Sequence, residues 1–347
     1  MRYQRKQEDM LGRESCLKEE DMTDNLVQVV DRTADIVVGV DGSDESFAAL
    51  RWAIREATVT GQHVNAVFGW THSWDMGSQP QDDDAWSQAR EHMTRRLRDW
   101  VNEACSDIDF DASYLKLTSV KATGTHALLE LGSNAQQIVV GRRSLNRVAR
   151  WFLGSLSASL AEEAKVPVTV VRFASDEEAS VQDEIANSLT PGDATVHYAQ
   201  PPIVGLDRRK PIVAGIDGSE ISKRALAYAA DEARLHHAPL HVLFCWQIKD
   251  LDAIPGYENA VAPLHVAEQR AQHLLDEVVS QADLGDDLEV QANAFHIPAA
   301  KGLISASRYA SHLIVGSRGL SGLDAHFLGS VSRQLVNFAE CTVTVVH

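Results

Sequence analysis

Residues Gly316 to Ser330 read GSRGLSGLDAHFLGS, with glycines spaced as G-x-x-G, nine residues, then G-S. The segment follows the apolar run His312-Leu313-Ile314-Val315 and precedes a helical pattern that starts near Val331. A strand therefore runs into a glycine-punctuated loop, and the loop opens a helix. Such a loop suits phosphate. Glycine lets the backbone approach closely and adopt positive φ, and a helix N-terminus offers unpaired N–H groups with partial positive charge. Arg318 adds a fixed charge and Ser330 a hydroxyl at the helix start. The same spacing is met by a plain strand-to-helix turn capped by Ser330, with glycines that serve geometry alone. Spacing by itself leaves both readings open.

The elements that position this loop can be followed along the chain. Residues 1 to about 34 mix charge with few large apolar residues and read as a disordered leader. Ile36 to Val40 is a continuous β-branched run, the pattern of a strand buried on both faces, and it ends in the turn Asp41-Gly42-Ser43-Asp44. A helix follows over Glu45 to Thr60, its stripe formed by Phe47, Leu50, Ala53, Ile54 and Ala57. Next come a strand from His63 to Trp70, a polar loop, and a long helix from about Ala85 to Cys105. That helix buries Trp86, Met93, Leu97, Trp100 and Val101, and Arg90, Arg95, Arg96 and Arg98 form its solvated face. Strand Ser113–Val120, helix Thr125–Ser133, strand Gln137–Val140, a loop over 141–153, a helix from Ser155 and strand Val166–Val171 complete the unit. The order βαβαβαβαβ requires parallel pairing, right-handed crossovers and helices on both faces of the sheet.

An acidic, then Pro-containing stretch over 173–209 reads as a linker, after which the unit begins again. Asp41 and Asp217 are 176 residues apart, Trp70 and Trp246 also 176, and Gly141 and Gly316 175. Three landmarks at nearly one offset mark an internal duplication of domain size, residues 35–172 and 210–347. Each copy is expected to be a doubly wound domain with a five-stranded parallel sheet of order 3-2-1-4-5. In such a sheet ligands bind beyond the carboxyl ends of the strands where the order reverses, between strands one and four. Asp41 and Gly141 end those strands in the first copy, Asp217 and Gly316 in the second. Either aspartate could accept a hydrogen bond from a ligand or approach a phosphate-bound metal. Either could equally do no more than cap the turn that follows it.

Composition narrows the function. A formal net charge of -17 opposes a nucleic-acid backbone or an anionic membrane as partner, and it leaves room for one small anion in a locally positive loop. Cys16, Cys105, Cys245 and Cys341 lie far apart with no C-x-x-C spacing, so neither a zinc site nor a disulfide framework is indicated. Cys245 and Cys341 sit in apolar strands, where burial is expected rather than reactivity. No apolar run reaches transmembrane length and the charged N-terminus is not a secretory signal, which fits a cytoplasmic protein. G-x-G-x-x-G and G-x-x-x-x-G-K-[ST] are both missing, so dehydrogenase and P-loop NTPase readings lack their fingerprints. His236, His237, His241 and His296 share no metal-ligand pattern, and surface or packing roles are expected of them. No nucleophile stands beside an obvious base, and an enzyme is not expected.

Taken together, I-V-x-G-x-D-G-S opening a domain and G-x-x-G, nine residues, G-S closing it resemble the universal stress proteins, here as a tandem two-domain member. That resemblance implies a cleft for ATP, with or without Mg2+, and a nucleotide-dependent regulator. It also implies that the final strands, Val166–Val171 and Cys341–His347, pair across the two domains as a pseudo-dimer, with a homodimer and an unidentified protein partner as further expectations. By resemblance Gly215, Ile216, Asp217 and the backbone of Cys245 border the adenosine, and Gly316, Arg318, Gly319, Gly329, Ser330, Val331 and Ser332 surround the phosphates. In the first copy the corresponding residues are Gly39, Val40, Asp41, Gly69, Gly141, Arg142, Ser144, Gly154 and Ser155. There the second loop glycine is replaced by Ser144, which weakens or blocks a phosphate site if the position needs positive φ or close contact. Arg142, Arg143, Arg147 and Arg150 could instead bind phosphate through their side chains, or face solvent or an acidic partner. The second copy has its own anomaly in Asp324. The second domain is thus expected to be the better ATP site, and a nucleotide-free interaction protein is the alternative.

Overall fold

The computed structural model describes residues 34–71, 82–142, 155–173, 210–251, 254, 256–257, 262–319 and 328–347. The leader up to residue 33, residues 174–209 of the linker, and Arg143, Ser144, Arg147, Arg150, Gly154 and Asp324 lie outside the described residues, as does the side chain of Ser155.

The first repeat runs β1 (Ile36–Gly39), α1 (Asp44–Thr60), β2 (Val64–Gly69), α2 (Asp83–Ala104), β3 (Leu115–Val120), α3 (Gly124–Leu131), β4 (Gln137–Arg142), α4 (Ser155–Glu163) and β5 (Val168–Arg172). The second runs β6 (Ile212–Gly215), α5 (Glu220–Leu235), β7 (Leu240–Trp246), α6 (Leu264–Gln281), β8 (Val290–His296), α7 (Ala299–Ala306), β9 (His312–Gly316), α8 (Ser330–Phe338) and β10 (Thr342–Val346). Local chemistry sets the boundaries. Ser43 and Ser219 cap α1 and α5 by accepting the N–H of Ser46 and Ser222, each at 3.2 Å. Asp82 caps α2 through Ala85 N–H at 2.7 Å, and α1 stops at Gly61 in the left-handed region, where a residue without Cβ is favoured. Ser113 and Tyr114, expected as the start of β3, instead lie in a 3-10 turn over Ala112–Tyr114. Asp111 accepts the Ser113 N–H at 2.8 Å and caps that turn, which competes with the strand ladder. In α2 the buried positions are Met93, Leu97, Val101 and Ala104, while Trp86 and Trp100 are only half-buried.

All ten strands form one sheet of order β3-β2-β1-β4-β5-β10-β9-β6-β7-β8. Each half has the expected 3-2-1-4-5 order with parallel neighbours, and β5 and β10 join the halves antiparallel through Val168↔Val345, Thr169↔Thr344 and Val170↔Val343. Neither final strand is left as an open edge within the chain. The seam carries a buried polar chain. Thr169 Oγ1 donates to Gln137 Oε1 at 2.6 Å, the two threonine hydroxyls lie 2.7 Å apart, and Thr344 Oγ1 lies 2.7 Å from His312 Nε2. These satisfied groups fix the register, because a slip would strand buried polar atoms. One apolar cluster runs through both repeats, from Val37, Leu128 and Leu160 to Leu303, Leu313 and Leu335. A second, under α1 and α2, holds Leu50, Ile54, Leu97 and Val101. Among the described residues no helix is long and apolar enough to cross a membrane.

Candidate functional site

The crevice in the second repeat opens where β6 ends. Gly215 pairs with Leu243, and β7 continues past it through Phe244, Cys245 and Trp246, so the β6-side backbone edge of β7 beyond Leu243 faces the crevice. Asp217 begins the next turn. Its Oδ1 accepts the N–H of Ser219 at 3.0 Å and the Ser219 hydroxyl at 2.6 Å, which is the turn-capping role. Its other oxygen has a second neighbour. A Cβ placed on Gly319 would collide with Asp217 Oδ2, so the loop after β9 lies against the aspartate after β6, and a side chain there would push that carboxylate aside. Residues a hundred positions apart in sequence thus close one cleft at the point where strand order reverses.

The phosphate-type loop has three further features. Ser317 N–H donates to Val346 O at 2.7 Å and Gly329 N–H to Ser317 O at 2.8 Å, which ties both ends of the loop to the sheet. The Ser317 hydroxyl is buried with no hydrogen-bond partner among the described residues. Lastly, α8 has Gly329 as its N-cap and makes no side-chain cap bond, which corrects the expectation of a Ser330 cap. Side chains of Ser43, Asp82, Thr123 and Ser219 cap α1, α2, α3 and α5, whereas α6, α7 and α8 start without a side-chain cap, and among the described residues no side chain accepts the amides of Ser330 to Ser332. The Ser332 hydroxyl turns inward and donates to Gly316 O at 2.7 Å, so a phosphate would meet its amide rather than its side chain. Gly316 is required by packing, since a Cβ there would stand 2.7 Å from Ile221 Cγ2 of α5.

Cys245 is buried, and burial pushes its thiol up to about 12. Its side chain faces α7, where a Cβ on Gly302 would be 2.5 Å from the sulfur, so only its backbone can serve the crevice. Cys341 is pushed up to about 12 for the same reason. Both thiols are inert at neutral pH.

In the first repeat Asp41 repeats the turn, accepting Ser43 N–H at 3.1 Å and its hydroxyl at 2.5 Å. Gly39 packs against Leu128, Gly69 against the backbone at Gly124, and Gly141 against the backbone of Glu45. These glycines are needed for helix–sheet packing whether or not a ligand binds, and Val40 is buried beside them. Arg142 is turned to the other repeat. It donates to Ala339 O at 2.7 Å and Arg172 to Glu340 O at 3.0 Å, where the carbonyls at the end of α8 favour a cation. Arg142 is therefore an inter-repeat tie; Arg143, Arg147 and Arg150, the other cations expected at this crevice, lie outside the described residues.

One cluster escaped the sequence reading. His236, at the C-terminus of α5, lies 2.9 Å from Glu56 Oε2 of α1 and 3.6 Å from Glu232 Oε2. Glu56 and Glu232 are 2% and 0% exposed, and they occupy the same position in the two repeats, 176 apart. The carboxylates of Glu232 and Glu56 raise the imidazole to about 10, so it is an imidazolium at neutral pH. The three ligand atoms lie within 4.8 Å of one another, across the seam between repeats. A glutamate at i and a histidine at i+4 near a helix end was the available signal; its partner from the other repeat had none.

The comparisons agree with this architecture. The model of the Universal stress protein family matches residues 33–172 and 208–347. A universal stress protein of Mycolicibacterium smegmatis is 30% identical over 322 residues, covering 90% of this chain and 96% of its own. Universal stress protein Rv2005c of Mycobacterium tuberculosis is 28% identical over 319 residues at the same coverage. The crystal structure of a universal stress protein from Archaeoglobus fulgidus shares the fold, with a TM-score of 0.56 and 17% identity over 92% of this chain and 98% of that one. With two family matches that together span most of its length, the chain belongs to the universal stress protein family.

Proposed function

We propose that the second repeat binds ATP, with or without Mg2+, and that the protein acts as a nucleotide-dependent regulator in the stress response rather than as an enzyme. The observation that carries this reading is the uncapped first turn of α8 beside a loop whose Gly319 is pressed against Asp217. The amides of Ser330, Val331 and Ser332 would hold phosphate oxygens, with Arg318 and the Ser317 hydroxyl beside them. The backbone edge of β7 at Cys245 would meet a base, and Ile216 and Asp217 a ribose. A bound triphosphate would supply the negative charge these amides hold; the chain's part is to position the amides and to present the surface around them to a partner. The first repeat is read as structural, because Arg142 is engaged across the seam.

Calorimetric titration of ATP into the full chain tests this against Gly319→Ala, whose methyl group would displace Asp217. Saturable binding by the wild type at one equivalent, lost in the variant, supports the reading. No binding by the wild type supports a nucleotide-free interaction protein.

A further inference from the structure

The two repeats differ on the α1/α2 and α5/α6 side of the sheet, away from the loop after β9. In the first repeat the indole of Trp100 lies against the turn after β1. A Cβ on Gly42 would stand 2.5 Å from Trp100 Cζ2, and the indole meets Phe68 edge-to-face with centroids 4.9 Å apart. Arg96 covers its other side at 4.9 Å.

The buried residues of α2 are Met93, Leu97, Val101 and Ala104, and those of α6 are Ala267, Ala271, Leu275 and Val278, with the same spacing of four, four and three. Aligning them at that spacing sets Arg270 in the place of Arg96 and Leu274 in the place of Trp100. Phe244 takes the place of Phe68 and Gly218 that of Gly42, at the offset of the other landmarks. The indole alone has no counterpart. A Cβ on Gly218 would meet nothing within 4 Å, and a cavity of about 180 Å³ opens there, lined by Ile216, Phe244, Leu274, Leu275 and Val278 with Asp217, Lys223, Asp250 and Glu277 at its polar wall. The volume is of the order of the ~150 Å³ of an enclosed apolar cavity that takes up benzene, although this pocket is partly open to solvent.

We propose that this cavity is a binding site for a small planar aromatic molecule of indole size, neutral or cationic, which takes the place that Trp100 fills in the first repeat. The first repeat shows the fit: the same backbone turn and the same phenylalanine already hold an indole. The charge of the wall sets the sign, since three carboxylates face one lysine, and Lys223 is itself bonded to Glu220 at 2.8 Å. An anionic ring is repelled there. The cavity shares Ile216 and Asp217 with the nucleotide crevice but opens on the other face of the sheet, because Phe244 faces α6 while Cys245, the next residue of β7, faces α7. The proposal does not depend on ATP binding.

The test is calorimetric titration of the full chain with indole, tryptamine and indole-3-acetate. The expected result is saturable binding of indole and tryptamine, weaker or no binding of indole-3-acetate, and loss of indole binding in Leu274→Trp, which fills the cavity from within. Leu274→Phe serves if the tryptophan variant does not fold, and should weaken indole binding. Trp100→Leu, which vacates the equivalent place in the first repeat, should take up a second equivalent of indole and regain melting temperature on doing so. Failure of the wild type to bind indole, unchanged binding in both Leu274 variants, or tighter binding of indole-3-acetate would each overturn the proposal.

Discussion

Replacing His236 with alanine removes the imidazolium that faces Glu56 across the seam and Glu232 on its own helix. Its contribution can be worked from the site. The imidazole is raised from 6.5 to about 10 by the carboxylates of Glu232 and Glu56, a shift equivalent to about 5 kcal/mol at full burial. The side chain is 35% exposed, so water screens the pair and the contribution falls to about 2 kcal/mol. Because the folded pKa lies above the unfolded one, this stability is fully present below about pH 6.5 and is lost as pH rises through about 10. Urea unfolding of the wild type and His236→Ala at a series of pH values reads it directly. The variant should be about 2 kcal/mol less stable at pH 6.5, and the two curves should converge by about pH 10. Equal stabilities at pH 6.5, or a difference that grows toward alkaline pH, would refute the reasoning.

Two further outcomes follow from the same geometry. His312 is buried on the seam, and burial depresses it to about 4, so it folds neutral; its contribution is present above about pH 6.5 and is lost as pH falls toward 4. His312→Gln, which copies Gln137 of the first repeat, should remove up to about 3 kcal/mol of acid sensitivity in denaturant titrations between those values. Gly42 and Gly218 share a φ near +85°, at 85° and 86°, so alanine is strained at both; only at Gly42 does it also strike Trp100. Gly42→Ala should therefore lower stability by about 1–3 kcal/mol more than Gly218→Ala, read from urea midpoints.

How much was legible in the sequence depended on whether the signal was local. The β-branched runs Ile36–Val40 and Ile212–Ile216 gave the central strands, and the Asp-Gly-Ser turns gave the helix starts, because strand burial and capping act within a few residues. The repeat offset gave two equal units, and the strand order followed from right-handed crossovers. Long-range contacts were not legible. Arg142 looked like a phosphate ligand because it follows a loop glycine, and its partner, the carbonyl of Ala339, is 197 residues away. The three groups of the Glu56–Glu232–His236 cluster carry no motif, since two of them meet only when the seam forms. Ser330 looked like a cap by residue type, whereas it is the first residue of the helix and the cap position falls to Gly329, which has no side chain to accept an amide.

The measurement that bears most directly on the central claim is the nucleotide released from purified full-length protein on denaturation, compared with that from Gly329→Glu. A Cβ at Gly329 would stand 3.2 Å from Ser317 O, which must give by a few tenths of an ångström, and the added carboxylate would reach the amides of α8. ATP or ADP from the wild type and none from the variant is the predicted result. Equal nucleotide from both proteins would place the ligand elsewhere, and a wild type that releases none and gains no melting temperature from added ATP would contradict the account.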